Sequence, residues 1–449
     1  MLEERKTLPA NLIPTNSGID GTAIVSKLTR RLVPFLFLLY IVAYLDRTNV
    51  GFAKLQMSSQ LHFSEAVYGL AAGMFFAGYF FFQVPSNLIL RRIGARRWIC
   101  LLMIVWGTIS ASMMLVTTVR SFYVLRFLLG LAEAGFFPGV IFYLRSWFPA
   151  SARARTSALF MTAGPLSGVL GGLVSGALLG LHRDGGLAGW QWLFLLEGMP
   201  AVFLGMVVFF QLQDYPKDAR WLSPDERNWL EETLRQEEAS RTAVQGNAPW
   251  WSVFLNLPVL LLALVYFCLN TSSYAISLWL PSVVKSFSGH SNFVIGFLSA
   301  IPYLAAAVGM VLAGQHSDRT GERRWHVAGA ALVASGALLL AAMSTSTAAV
   351  VAAFSLAVLG INCMLGPFWA MPGTLLSGVT ASVGIALINS IGNLGGFFGP
   401  LILGLAKASS GNFKSGLFLL AGGMALGAVL VLFVRMPEKR PSGRALTSP

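Results

Sequence analysis

Charge is what this chain has least of. Asp, Glu, Lys and Arg make up 11% of its 449 residues, where soluble domains carry about 25%, and so thin a supply excludes a water-facing globular surface. Cysteine is scarce too. Cys100, Cys268 and Cys363 each lie in a separate apolar segment, which excludes a disulfide framework and leaves reduced thiols. The five histidines, His62, His182, His290, His316 and His326, all fall at or near loops, so neither a histidine relay through an apolar interior nor a metal site is expected. Nothing resembles His-Glu-x-x-His, a Walker loop or a nucleotide-binding fold, so the chain is expected to be no enzyme and to hold no cofactor.

Acidic residues are outnumbered, and the formal net charge is +13. A nucleic-acid surface would cluster those bases on a solvated domain. Here they sit in short pieces between apolar runs, so nucleic acid is not an expected partner and the bases read as a topology signal. The opening stretch, with Arg5, Lys6, Asp20, Lys27, Arg30 and Arg31, has no short apolar core ahead of a small-residue cleavage site. No signal peptide is therefore expected, and the N-terminus should stay in the cytoplasm.

Hydrophobicity is what is abundant: 55% of residues, with a mean hydropathy of +0.67. At about 20 apolar residues per crossing, the sequence reads as an all-α membrane protein of twelve spans, starting near residues 32, 66, 98, 121, 155, 190, 257, 292, 326, 347, 382 and 414. Most of the 32 Lys and Arg then fall on one side, while Lys54, Arg120, Arg183, Lys285, Lys407 and Lys414 fall in outer loops or helix ends. Cytoplasmic loops are the basic ones, which gives a cytoplasmic tail over 1–31, a six-helix half over 32–212, a cytoplasmic linker over 213–256, a second half over 257–435 and a cytoplasmic tail over 436–449. Within the linker, SPDERNWLEETLRQEE offers Ser223 as N-cap, Pro224 at the first helical position and Glu226 where a capping box needs it, so a surface helix is expected.

The halves repeat. RRIGARR pairs with DRTGERR (Gly94 with Gly321, Arg96 with Arg323), and GPLSGVLGGLVSG from Gly164 pairs with GNLGGFFGPLILG from Gly392. Small residues four apart let helices approach closely. Two related six-helix units imply a binding site between them near the membrane midplane.

GQHSDRTGERR, residues 314–324, resembles the loop signature of the major facilitator superfamily, with Asp318, Arg319, Gly321, Arg323 and, in the first-half copy, Arg96 as its gating residues. That first copy, NLILRRIGARR, has Asn87 for the glycine and Arg91 for the acid. More narrowly, YLDRTNVGFA, RFLLGLAEAGFFPG and NSIGNLGGFFGP resemble the anion:cation symporter branch, in which tartrate, phthalate, hydroxyphenylacetate and sugar-acid permeases carry organic anions, commonly with protons.

A charge inside a bilayer costs on the order of 3 kcal/mol even on lenient scales, so it marks a functional position by default. Asp46, Arg47, Arg126, Glu133 and Glu197 qualify, all in the first half. Asp46 and Arg47 lie about 100° apart around one helix and cannot neutralise each other. Arg126 and Glu133, seven apart, share a face. Matching depths predicts an Asp46–Arg126 pair, leaving Arg47 to face a central cavity; two structural ion pairs are the alternative. On this reading Asp46 is a proton site, Arg47 binds an anion through its planar fork, and Glu133, followed by the kink-forming Gly135, Pro138 and Gly139, is a second proton carrier. The resemblance implies the same roles for Asp46, Glu133 and Arg47. Glu197 is expected to be structural.

Tyr44 and Tyr79 could bond a substrate or merely satisfy another helix. In the second half NTSSYAI and GPFWAMPG should break the seventh and tenth spans, exposing backbone to a ligand. Asn389 and Asn393 stack one turn apart, and the cavity wall is expected from Asn393, Trp369, Asn270 and Tyr274. The expectation is a monomeric symporter for a small organic anion with protons as the coupling ion. An anion exchanger or exporter of the same fold, or a non-transporting receptor, is the alternative.

Overall fold

The computed structural model describes residues 20–181, 186–243, 250–376 and 378–436. His182, Arg183, the outermost tails and part of the linker lie outside the described residues. Fifteen α-helices occur among them: α1 Gly21–Gln60, α2 Glu65–Ile93, α3 Ala95–Ser112, α4 Val119–Glu133, α5 Phe136–Trp147, α6 Ala150–Met161, α7 Ala163–Leu178, α8 Gly189–Gln211, α9 Pro224–Ala243, α10 Leu257–Phe287, α11 Asn292–Thr320, α12 Arg324–Met343, α13 Thr347–Leu375, α14 Gly378–Ser410 and α15 Lys414–Leu432. Among the described residues twelve spans are long and apolar enough to cross a membrane, α4 with α5 and α6 with α7 each forming one.

Local chemistry sets the ends. Ser64, Thr118, Asn256, Ser291 and Ser346 each accept a backbone N–H of the first turn, which satisfies donors that would otherwise be orphaned. Gly94 (φ 87°) ends α2 and Gly321 (φ 70°) ends α11, so the two copies of the repeated loop stop their helices with the same positive-φ device. The fourth span does break at Ala134–Gly135. The seventh and tenth spans do not break: α10 and α13 run uninterrupted through NTSSYAI and GPFWAMPG. Thr271 turns its hydroxyl back onto the Phe267 carbonyl (2.7 Å), so its polarity is absorbed within the helix, and Pro367 and Pro372 are carried inside α13. The first helix also starts earlier than expected, at Gly21, capped by Asp20.

The linker helix α9 docks on the first half. Ser223 and Glu226 form the expected capping box. Glu226 pairs with Lys27 (2.7 Å), Glu237 with Arg153 (3.1 Å) and Glu238 with Arg145 (3.2 Å), while Trp221 stacks on Trp147 at 5.8 Å.

The halves, α1–α8 and α10–α15, meet away from the linker end. Near this far end a Cβ on Gly172 would lie 2.6 Å from the Gly296 carbonyl oxygen, one on Gly51 2.8 Å from that of Leu278 and one on Gly69 2.8 Å from that of Pro400. Only glycine permits such backbone approaches. Lys54, buried against the rings of Trp279 (4.8 Å) and Tyr68 (5.2 Å) and paired with Glu65 (2.7 Å), closes the seam. The sequence reading placed Lys54 at a helix end; it is a sixth interior charge. Toward the linker end Gly168 lies under Tyr303, but Gly164, one turn along, has nothing within 4 Å of its Cβ position among the described residues.

Inside the first half, α2 and α4 cross so tightly that a Cβ on Gly130 would fall 1.8 Å from the Phe75 carbonyl oxygen. Gly130→Val is therefore expected to cost at least the roughly 1–3 kcal/mol of an overpacked core, read as a lower melting temperature and folded yield in detergent, whereas Gly164→Ala should leave both unchanged. The Glu226 carboxyl is held below the usual glutamate range, first by its hydrogen bond from Lys27 and then by the Ser223 backbone N–H. A depressed folded-state pKa stabilises docking above the unfolded value of about 4.3 and is lost as pH falls through it. Hydrogen exchange in α9, corrected for intrinsic rate, should stay flat from about pH 8 to 5 and accelerate below about pH 4.

Candidate functional site

Arg47 sits where the halves join, at the bottom of the closed seam. Its Nη2 and Nε donate to Glu133 Oε2 at 3.0 and 3.2 Å, and its Nη1 donates to the Tyr274 hydroxyl of α10 at 3.2 Å. The guanidinium lies over Phe75 and Tyr79, each ring centre 5.3 Å away. One side chain thus ties α1, α4 and α10 together across the pseudo-symmetry interface. Glu133 is 1% exposed, and its second oxygen has no partner among the described residues.

The predicted Asp46–Arg126 pair does not form. Asp46 is fully buried and faces α3, where Ser110 Oγ donates to Oδ1 (2.7 Å) and Trp106 Nε1 to Oδ2 (3.2 Å). Arg126 reaches only the Ala71 carbonyl, at 3.4 Å through Nε, and covers the Phe75 ring at 5.0 Å. Neither of its terminal nitrogens has a hydrogen-bond partner among the described residues, though the residue is fully buried. Matching depth fixed the heights of these groups but not their azimuths: Asp46 and Arg126 face different neighbours. Glu133 takes the role foreseen for a free cavity and occupies Arg47 itself.

The Phe75 ring therefore has two guanidinium groups over it, at 5.3 and 5.0 Å from its centre, a cation–π arrangement worth more where water is excluded. The charge of Glu133 is shared with Arg47, and Arg126 is left as a cation with donor capacity to spare. Removing one member of a buried pair leaves the other uncompensated.

The second half supplies an aromatic wall. Tyr266 stacks on Phe368 (5.2 Å) and meets Trp369 edge-on (5.0 Å); the Asn270 amide lies beside the hydroxyl of the same ring. Tyr274 packs on Phe76 at 4.3 Å. Asn393 is buried next to Gly392, whose missing side chain is filled by the Tyr266 ring, and Asn389 is half-buried one turn away. Tyr44 is half-buried, edge-on to Tyr40 at 6.2 Å. Sequence reasoning missed Tyr40 and Tyr266. The signal was present, because Tyr40–Tyr44–Arg47 and Tyr266–Asn270–Tyr274 recur at helical spacing and so form two facing stripes.

Residues 36–400 and 289–448 match the sequence profile described as Major Facilitator Superfamily. The chain belongs to this superfamily. This major facilitator is 49% identical over 429 residues to a protein named "Putative tartrate transporter" from Agrobacterium vitis, spanning 96% of this chain and 98% of that one. It is 40% identical over 411 residues to a protein named "Quinolone resistance transporter" from Acinetobacter baumannii, spanning 92% and 94%. Among solved structures, the xylose transporter XylE from E. coli in a partially occluded inward open conformation superposes with a TM-score of 0.73 over 92% of this chain and 99% of that one, at 15% identity, a likeness of fold. The chain is a multi-pass membrane protein of a transporter class, not an enzyme.

The superfamily loops are built differently in the two halves. After α11, Asp318 pairs with Arg323 (2.7 Å), Arg323 also donates to Ser317 (2.8 Å), and Arg319 is exposed. After α2, where Arg91 stands in place of the acid, Asp214 arrives from beyond α8. It accepts the Arg96 backbone N–H (2.9 Å) and presses against Gly94, while the Arg96 side chain lies over Phe209 (4.4 Å). The missing carboxylate is thus supplied by a distant residue.

For the Arg47–Glu133 pair, Arg47→Ala or Glu133→Ala alone should destabilise by about 3–5 kcal/mol, because each leaves a buried charge behind. The double variant should cost less than the sum, a coupling that thermal unfolding of all four proteins in detergent would reveal.

Proposed function

We propose that this major facilitator is a proton-coupled symporter that imports a small organic anion by alternating access. The observation that carries the reading is Arg47, bonded at once to an acid of the first half and a phenol of the second. A substrate carboxylate and Glu133 compete for one guanidinium fork. With Glu133 ionised, Arg47 is occupied; a proton on Glu133 removes its charge and frees the fork for a bidentate carboxylate. Proton and anion binding are then thermodynamically linked.

Arg126, with spare donors beside Phe75, suits a second carboxylate. Tyr44, Tyr79, Tyr274, Asn270, Asn393 and Trp369 offer hydroxyl, amide and ring contacts for the body of a hydroxy-dicarboxylate such as tartrate, a sugar acid or an aromatic acid. The relative named for tartrate supports the first of these. Asp46 is the second proton site, and Asp318, Arg319, Gly321, Arg323 and Arg96 belong to the loops that gate the linker end. The basic linker end is cytoplasmic, the end at which Gly164 faces no neighbour within 4 Å. The protein works as a monomer in a bacterial inner membrane, with protons and no cofactor. Protons entering down the membrane potential supply about 2.3 kcal/mol per charge per 100 mV.

The relative named for quinolone resistance favours a second reading, export by the same fold. Proteoliposome uptake of radiolabelled tartrate and galactonate separates the two. Acid-outside stimulation is expected. Arg47→Ala should abolish binding, while Asp46→Asn and Glu133→Gln should lose accumulation but keep counterflow. Ordinary proton-driven uptake by the Asp46→Asn, Glu133→Gln double variant would refute symport through these acids, and trans-stimulation without pH dependence would favour exchange.

A further inference from the structure

Asp46 raises a question that the central site leaves open. Both its oxygens are held by α3 and the residue is 0% exposed, so its proton needs a route through the protein interior.

Along α1 the residues Asp46, Asn49, Ala53, Gln56 and Gln60 recur at alternating spacings of three and four, which keeps them on one face. Gln60 is exposed at the far end and accepts the Trp190 indole N–H at 2.6 Å. Gln56, a turn deeper, donates to the Leu179 carbonyl (2.8 Å) and accepts the Trp190 backbone N–H (3.1 Å). Ala53 is fully buried and small. Asn49 is 1% exposed; its amide lies against Glu197 and completes no close hydrogen bond among the described residues.

Against Asn49, α8 places Glu197. Glu197 is 5% exposed; Ser175 Oγ of α7 donates to its Oε1 at 2.7 Å, and its Oε2 has no donor. An ionised carboxylate only accepts, whereas a protonated one gains a donor. A proton on Glu197 gives it a donor that the Asn49 amide oxygen can accept, and removes a charge from a site with no cation paired to it among the described residues.

We propose that Glu197 is a proton-holding site on a path that follows this face of α1 from the far end to Asp46, separate from the substrate cavity. The inference rests on the proton-symport reading. The proton leaves Glu197 Oε2, passes by way of the Asn49 amide and water beside it, and ends on the Asp46 carboxylate. The Glu197 carboxylate left behind is reprotonated from far-side water past Gln56 and Gln60.

Infrared difference spectroscopy of the purified protein near neutral pH tests the site itself, with no ligand. A protonated carboxylic-acid band is expected that is lost in Glu197→Gln and shifted in Asn49→Ala; absence of such a band, or its survival in Glu197→Gln, overturns the proposal. Proteoliposomes loaded with a pH dye and given external tartrate or galactonate test the path. Glu197→Gln should slow substrate-linked proton entry about tenfold or more while leaving counterflow unchanged, and Glu197→Asp should restore it. Equal proton entry in wild type and Glu197→Gln overturns the path alone. A wild type in which neither carboxylate brings in protons overturns the symport reading, and the path with it.

Discussion

A guanidinium that cannot lose its charge, placed where two helical bundles meet, is the constraint on which the rest of this molecule depends. Arg47 has to be compensated in every state, and its compensation comes from both sides of the interface: a carboxylate on α4 and a phenol on α10. Any motion of one half against the other must therefore exchange one set of partners for another. The aromatic faces of Phe75 and Tyr79 beneath it soften that exchange, because a ring tolerates sliding of the cation across it better than a directional hydrogen bond does.

Much of this was legible in the sequence because the bilayer leaves few ways to be charged. Five ionic residues stood out in apolar runs, and the structure buries all five. The repeat was legible because its glycines do the same work twice, Gly94 and Gly321 ending helices with positive φ. The linker helix was legible because its capping box is a local feature that tertiary context did not override.

What escaped was azimuth and reach. The partners of Asp46 are Trp106 and Ser110, neutral residues that no charge-based search selects, and spacing along a helix does not say which neighbour a face will meet. Lys54 escaped because α1 extends to Gln60, carrying the lysine into the closed seam instead of a loop. Asp214 escaped because it replaces the absent loop acid from more than a hundred positions away in the chain. The polar stretches of the seventh and tenth spans suggested broken helices, yet hydroxyls that fold back on their own backbone leave a helix intact. The roles of these residues in transport rest on chemistry rather than on position, and the sequence and the structure meet there only through Arg47.

The seam between the halves has a mechanical consequence. Where Gly172 meets Gly296 and Gly51 meets Leu278 the nearest surfaces are main chain, with few interlocked rotamers to disengage at those points. Such a joint behaves as a plain bearing: it parts and re-seats with little friction. The specificity of the closed position then falls to the few side chains around it, the Lys54–Glu65 clasp under Trp279 chief among them.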